Sequence, residues 1–247
     1  MFATWQDLYG SDAQTVWLPL AAPLAYLIWR AAYGPPRRGG VLPAAARFID
    51  WYAYIFAVET LIDPLATGPI LRALDLQGGA ATAVMVVFVL LGDLRVYLLL
   101  FALLAIAAGR RWQNAVPRAV GWTLLVPLIA YPSNAALEAV RASWDASSIW
   151  LIYEAAFCAI ALMLRAQAGN VAAPLRDFLR AVLGYAALYY GLWAAADVLI
   201  QVAHVDVGWL LRIVPNQLYY GLWIPFVVWR FFAARYCRSN ASTQASR

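Results

Sequence analysis

An all-α, polytopic membrane fold is predicted by three features of this chain. Of its 247 residues, 64% are hydrophobic and only 13% are charged, about half the charged share of a soluble domain. Its 12 Trp and 14 Tyr supply amphipathic rings for two water–lipid boundaries. The apolar residues also gather in seven runs, each long enough to cross a bilayer as a helix.

The first expected span, Thr15 to Tyr33, holds Pro19 and Pro23 in its first two turns, where a membrane helix tolerates them best. It stops at GPPRRGG, which carries Arg37 and Arg38. The second, Arg47 to Leu65, closes at Pro64 and the Gly68-Pro69 turn. The third, Ala80 to Ala108, is long enough to cross with tilt and holds Asp93 and Arg95 near its centre. In the fourth, Val116 to Leu137, Pro127 and Pro132 predict a kink near Asn134. The fifth, Ser148 to Arg165, includes Tyr153 and Glu154, and the sixth, Phe178 to Gln201, has Asp197 toward its end. The seventh, Gly208 to Phe232, contains Asn216 and Trp223. Residues 1–236 thus form one seven-helix transmembrane domain, and RSNASTQASR completes a disordered cytoplasmic tail over 237–247.

Arginine placement orients these spans. There is no lysine, so the net charge of +5 comes from arginine alone. Fourteen arginines flank one side, in groups around Arg37, Arg110, Arg176 and Arg235, against Arg72, Arg141 and Arg212 on the other. The side poor in arginine also collects Asp7, Asp12, Asp75, Glu138, Asp145 and Asp206. The positive-inside rule then puts the N-terminus outside and the C-terminus in the cytoplasm of a multi-pass cell-membrane protein. Basic charge serves topology, and no nucleic-acid partner is needed to explain it.

Several classes of chemistry lack their residues. A single histidine, His204, excludes a multi-histidine metal site. Cys158 and Cys237 make neither a disulfide framework nor a CxxC pair. Without lysine there is no retinal Schiff base. The sequence has no H-E-x-x-H, P-loop, G-x-S-x-G or aspartate-rich diphosphate motif. The expected function therefore calls for no metal and no cofactor.

What remains is a set of polar side chains at countable depths. Glu59 lies twelve residues past Arg47, about 18 Å along a helix rising 1.5 Å per residue. Asp63 is one turn further out, on the same face. Glu154, Asp197, Asn134 and Asn216 all fall in the outer half of their spans. An ionisable group at such depth usually faces a protein interior, so a cavity in the outer half is the expected site. Glu59, Asp63 and Asp197 are its candidate catalytic acids. Asn134, Glu154, Tyr190, Trp193, Asn216, Tyr220 and Trp223 are candidate substrate contacts, the aromatics following from helical spacing on the last two spans. Arg95 is expected to form a structural ion pair with Glu59 or Asp197, because Asp93, two residues away, points elsewhere. Blander roles exist for the same residues: Asp63 and Asp197 could end helices among headgroups, and Glu154 could pair with a neighbouring span for packing. The hexapeptide LYYGLW at 188–193 recurs at 218–223, on an antiparallel span, where chance in so aromatic a chain is favoured over a gene-level duplication.

Burial in apolar surroundings favours the protonated form of a carboxyl, as a general acid requires. Desolvated aromatic faces stabilise a cation by roughly 2 kcal/mol or more. Together they suit acid-initiated cyclisation or isomerisation of a prenyl or other lipid substrate. Seven spans in a chain of 247 residues, Glu59 on the second span and Asp197 on a late one resemble the integral-membrane terpene cyclases of meroterpenoid pathways. The plan is also similar to that of the emopamil-binding sterol isomerases. The resemblance implies a metal-independent enzyme whose partners are the bilayer and a hydrophobic small molecule. Val58 stands where those cyclases carry a Trp before the early Glu, and the histidine of the sterol isomerases has no counterpart. A proton- or cation-coupled transporter, or a seven-helix sensor, would use the same acids.

Overall fold

The computed structural model describes residues 4–34, 43–140, 148–171 and 173–233, and every regular element among them is helical. The expected tail at 237–247, most of the GPPRRGG sequence, and Arg141 with Asp145 lie outside the described residues. Helix α1 (Trp5–Tyr9) is closed by a capping box in which Thr4 and Asp7 satisfy each other's backbone N–H groups. There follow α2 (Leu18–Tyr33), α3 (Pro43–Leu65), α4 (Gly78–Ala107), α5 (Val116–Val140) and α6 (Ile149–Gln167). The last three are α7 (Ala173–Asp197), α8 (Val207–Asn216) and α9 (Trp223–Ala233).

Four stretches widen into π-helical turns: Ala13–Trp17, Ala66–Ile70, Val198–Val202 and Gln217–Leu222. Pro64 and Pro215 each stand two residues before such a turn. Proline lacks the N–H for an i→i−4 bond and its ring crowds the preceding turn, and a locally wider helix relieves both problems. Three of the turns sit at the end of the bundle that carries α1, and Gln217–Leu222 lies midway along the run from α8 to α9. In α5 the helix instead continues unbroken past Pro127 and Pro132.

Successive helices pack side by side, α2 on α3 and then α4 through α8 in order. Helix α9 closes the assembly against α2 and α3, and α3 also packs on α4. Alanines at the contacts, among them Ala53, Ala57, Ala119, Ala130, Ala161 and Ala186, let the helix backbones approach closely. Helix α4 changes character along its length: no residue before Gly92 is buried, and from Gly92 to Leu103 all but Leu94 are. Its second half is the centre of the bundle, which is why apolar residues surround it on all sides apart from the buried Asp93 and Arg95.

The outer surface is that of a membrane protein. Trp17, Ile28, Leu128 and Trp229 are each more than 60% exposed, and large apolar side chains face outward on every long helix. Five helical runs are long and apolar enough to cross a bilayer: Pro43–Ala73, Gly78–Ala107, Trp112–Val140, Ile149–Gln167 and Leu175–Val202. The first and seventh expected spans are helical but are not among these five. The first carries Pro19, Pro23 and Arg30, and the seventh carries Arg212 and Arg230, which lower their apolar character.

Candidate functional site

A cavity of about 430 Å³ lies at the α1 end of the bundle, among the last turn of α3, the first half of α4, the start of α6, the last turns of α7, and the second half of α8 with the π-helical turn after it. Its size is that of a small-molecule site. Six of the expected residues reach it: Asp63, Glu154, Tyr190, Trp193, Asn216 and Tyr220. Asp63 is 4% exposed, accepts a hydrogen bond from Thr67 Oγ1 at 3.3 Å, and has Tyr220 beside it.

Others are held elsewhere. Glu59 is half-buried one turn before Asp63 and does not line the cavity; Thr60 Oγ1 approaches its carboxylate at 3.4 Å. Asn134 points along its own helix and donates to Glu138 at 2.6 Å. Trp223 is fully buried behind the wall, where its Nε1 donates to the Tyr52 hydroxyl at 2.9 Å. Asp197, also fully buried, accepts from Arg212 Nη1 at 2.6 Å and contributes nothing to the lining.

The Arg95 expectation needs correction. Among the described residues its guanidinium touches no carboxylate. Its Nη2 donates to the Tyr219 carbonyl at 2.6 Å, and the group lies over the Tyr219 ring at 3.9 Å and the Trp223 ring at 5.4 Å. Glu59 and Asp63 remain within its electrostatic reach, but Asp197 is taken by Arg212. The reason is local. The π-helical turn Gln217–Leu222 disturbs the regular ladder of backbone bonds, and carbonyls there accept from side chains instead: Leu218 from the Tyr185 hydroxyl at 3.0 Å, Tyr219 from Arg95.

The wall also holds residues that sequence reasoning left unassigned. Asp93, 1% exposed, accepts from the hydroxyls of both Tyr153 and Tyr190, which come from α6 and α7. Arg212 bridges α6 and α7 from α8, reaching Glu154 Oε1 at 3.2 Å as well as Asp197. Tyr9 of α1 closes the cavity beside Arg212. Burial raises the pKa of its phenol, an effect that Arg212 partly offsets, so Tyr9 stays a proton-bearing donor. The two LYYGLW copies meet here: Tyr219 of the second copy lies 5.5 Å from Tyr189 and 5.1 Å from Trp193 of the first. Signals for some of these existed. Arg212 is four residues before Asn216, hence on the same helical face, and an arginine on the arginine-poor side invites a local reason. Nothing in the sequence indicates that Asp93 meets two tyrosines from other helices.

Three buried polar atoms of cavity-lining residues have no partner among the described residues, Glu154 Oε2, Trp193 Nε1 and Arg212 Nε. Buried polar groups are normally satisfied, so an acceptor and two donors left open around one cavity mark where a bound polar group would sit. The arrangement therefore offers proton-bearing and proton-accepting groups, aromatic faces and a polar anchor around one cavity. No protein-family model, no curated protein and no solved structure matches this chain.

Proposed function

We propose that the chain is an integral membrane enzyme that cyclises or isomerises a prenyl or other lipid substrate by internal proton transfer. One observation carries this reading: three carboxyls, Asp63, Asp93 and Glu154, and seven aromatic rings share one cavity, and its single arginine is already engaged by acids. Asp63 gives its proton to an alkene or epoxide carried by the substrate. The resulting cation is stabilised by the faces of Trp193 and Tyr219. Loss of a proton from a neighbouring carbon to Asp93, held by Tyr153 and Tyr190, forms the new double bond. Transfer back to Asp63 through bound water or through Glu59, one turn away, resets the site with no co-reactant consumed. Glu154 and Trp193 bind the substrate's polar end through their open atoms. Asp197 positions Arg212 and is not itself the acid.

In the same reading the chain crosses the membrane seven times, with the N-terminus outside and the cavity in the outer half. Its support is the run of outward apolar residues on the two helical runs outside the five most apolar, Ile28 and Trp29 on the first and Val214 and Trp229 on the last. The imbalance of arginine between the two sides sets the direction. A reporter active only outside the cell, fused to the C-terminus, is expected to stay silent.

Acid-initiated rearrangement leaves molecular mass unchanged, which defines the assay. Lipid extracts of membranes containing wild-type protein are expected to show a species of unaltered mass and shifted chromatographic mobility. Asp63→Asn is expected to abolish that conversion, with melting temperature near wild type. A second reading, proton- or cation-coupled transport, draws on the π-helical turns beside the cavity, which resemble the broken helices of transporters. Asp63-dependent uptake into proteoliposomes without any isomeric product would overturn the enzyme assignment in its favour.

A further inference from the structure

A second concavity, of about 410 Å³, lies at the opposite end of α3 and α4 from the cavity. Arg47 at the start of α3 is sixteen residues before Asp63, about 24 Å along the helix. Arg47, Arg110 and Arg111 line this groove together with Phe48, Trp51 and Trp112. The two indoles pack at 4.7 Å and Phe48 lies 5.6 Å from Trp112, so the aromatic wall is continuous.

The groove gathers three arginines with no counter-charge of its own, whereas several arginines elsewhere are paired with acids. Arg30 is neutralised by Asp50, Arg72 by Asp12, Arg176 by Asp177, and Arg212 by Glu154 and Asp197. Arg47, Arg110 and Arg111 have no acidic partner among the described residues, and no acidic side chain lines the groove. Three guanidinium groups in one cleft repel one another unless an anion sits between them. Arginine's planar fork matches phosphate oxygens in pairs, which makes phosphate the fitting anion.

We infer that the groove binds the phosphate headgroup of an anionic phospholipid. The surface beside it favours a lipid over a free phosphate ion. Trp51 opens an exposed apolar stripe along α3 through Tyr54, Ile55 and Ile62, each between 41% and 50% exposed. An acyl chain running from the groove along that stripe covers it, and Ile106 provides an apolar floor at the headgroup end. Basic clefts between membrane helices are suited to such headgroups, and Trp51 and Trp112 stand where indoles favour the interface.

The test uses the purified full chain in detergent, without substrate, so it stands independently of the catalytic reading. Native mass spectrometry with a mixture of phosphatidylglycerol and phosphatidylcholine is expected to show one retained phosphatidylglycerol. The variant Arg47→Gln/Arg110→Gln/Arg111→Gln is expected to lose this binding by on the order of a hundredfold, about fivefold for each arginine. All three side chains are exposed, so the variant keeps its fold. Added phosphatidylglycerol should raise the melting temperature of the wild type and leave the variant unchanged. Equal retention of both lipids by the wild type, or unchanged preference in the variant, overturns the inference. Displacement of the lipid by millimolar inorganic phosphate assigns the site to a free anion and overturns it too.

Discussion

Replacing Arg212 with leucine removes the one cation that holds two buried acids from two different helices. Its side chain is 16% exposed, Asp197 is fully buried, and Glu154 is 6% exposed, with contacts of 2.6 and 3.2 Å. Removing one partner of a buried pair leaves an uncompensated charge and destabilises by about 3–5 kcal/mol. For a chain of this size each kcal/mol moves the melting temperature by about 2–4 °C, so Arg212→Leu should melt about 6–20 °C below wild type. The triple variant Arg212→Leu/Glu154→Gln/Asp197→Asn removes all three charges and should recover most of that loss, since replacing a whole buried ion cluster is often neutral or stabilising. The assay is thermal unfolding in one detergent at one pH, followed by tryptophan emission. A single variant that melts within about 2 °C of wild type would show that the bridge does not hold α6, α7 and α8 together. A triple variant no better than the single would show that the loss came from packing of the arginine stem, and the electrostatic argument would fail.

Two further outcomes follow from the close packing around Tyr219. A Cβ at Gly92 would overlap the Tyr219 hydroxyl, so Gly92→Ala should destabilise by about 1–3 kcal/mol, and adding Tyr219→Phe should recover part of it because the ring carbon still lies 2.7 Å from that Cβ; no recovery in the unfolding midpoint would place the strain elsewhere. Arg95→Leu should lower the melting temperature, with Glu59→Gln restoring a fraction and Asp197→Asn restoring none, because Glu59 is within reach of the guanidinium whereas Asp197 is bound to Arg212; equal rescue by both would refute that division.

How a residue was read in the sequence depended on whether its position is a property along a helix or around it. Distance along a helix can be counted at 1.5 Å per residue. Asp63, Glu154, Tyr190, Trp193, Asn216 and Tyr220 could therefore be assigned to one end of the bundle before any packing was known, and all six line the cavity there. Rotation about the axis is a different matter. Asn134 has the depth of the others but turns along its own helix to Glu138, and Trp223 shares a helical stripe with Tyr220 yet faces Tyr52. Asp93 was visible as an acid in mid-span, but its two tyrosine donors come from helices 60 and 97 residues away.

The sequence by itself determined that this chain is helical and membrane-embedded, because apolar content and helical period are local properties that no distant contact can reverse. It also placed Asp63 and Glu154 toward one end of the bundle by counting along their helices, and both line the cavity there. Only the tertiary structure decided the pairing of charges. Arg95 and Arg212 end with different partners, and the outcome depends on which helix faces meet: α8 turns Arg212 between Glu154 and Asp197, while the π-helical turn after it gives Arg95 the Tyr219 carbonyl. That choice depends on non-local packing, with Pro215 just before the π-helical turn and Gly92 against the Tyr219 side chain, features whose effects are expressed only against their neighbours.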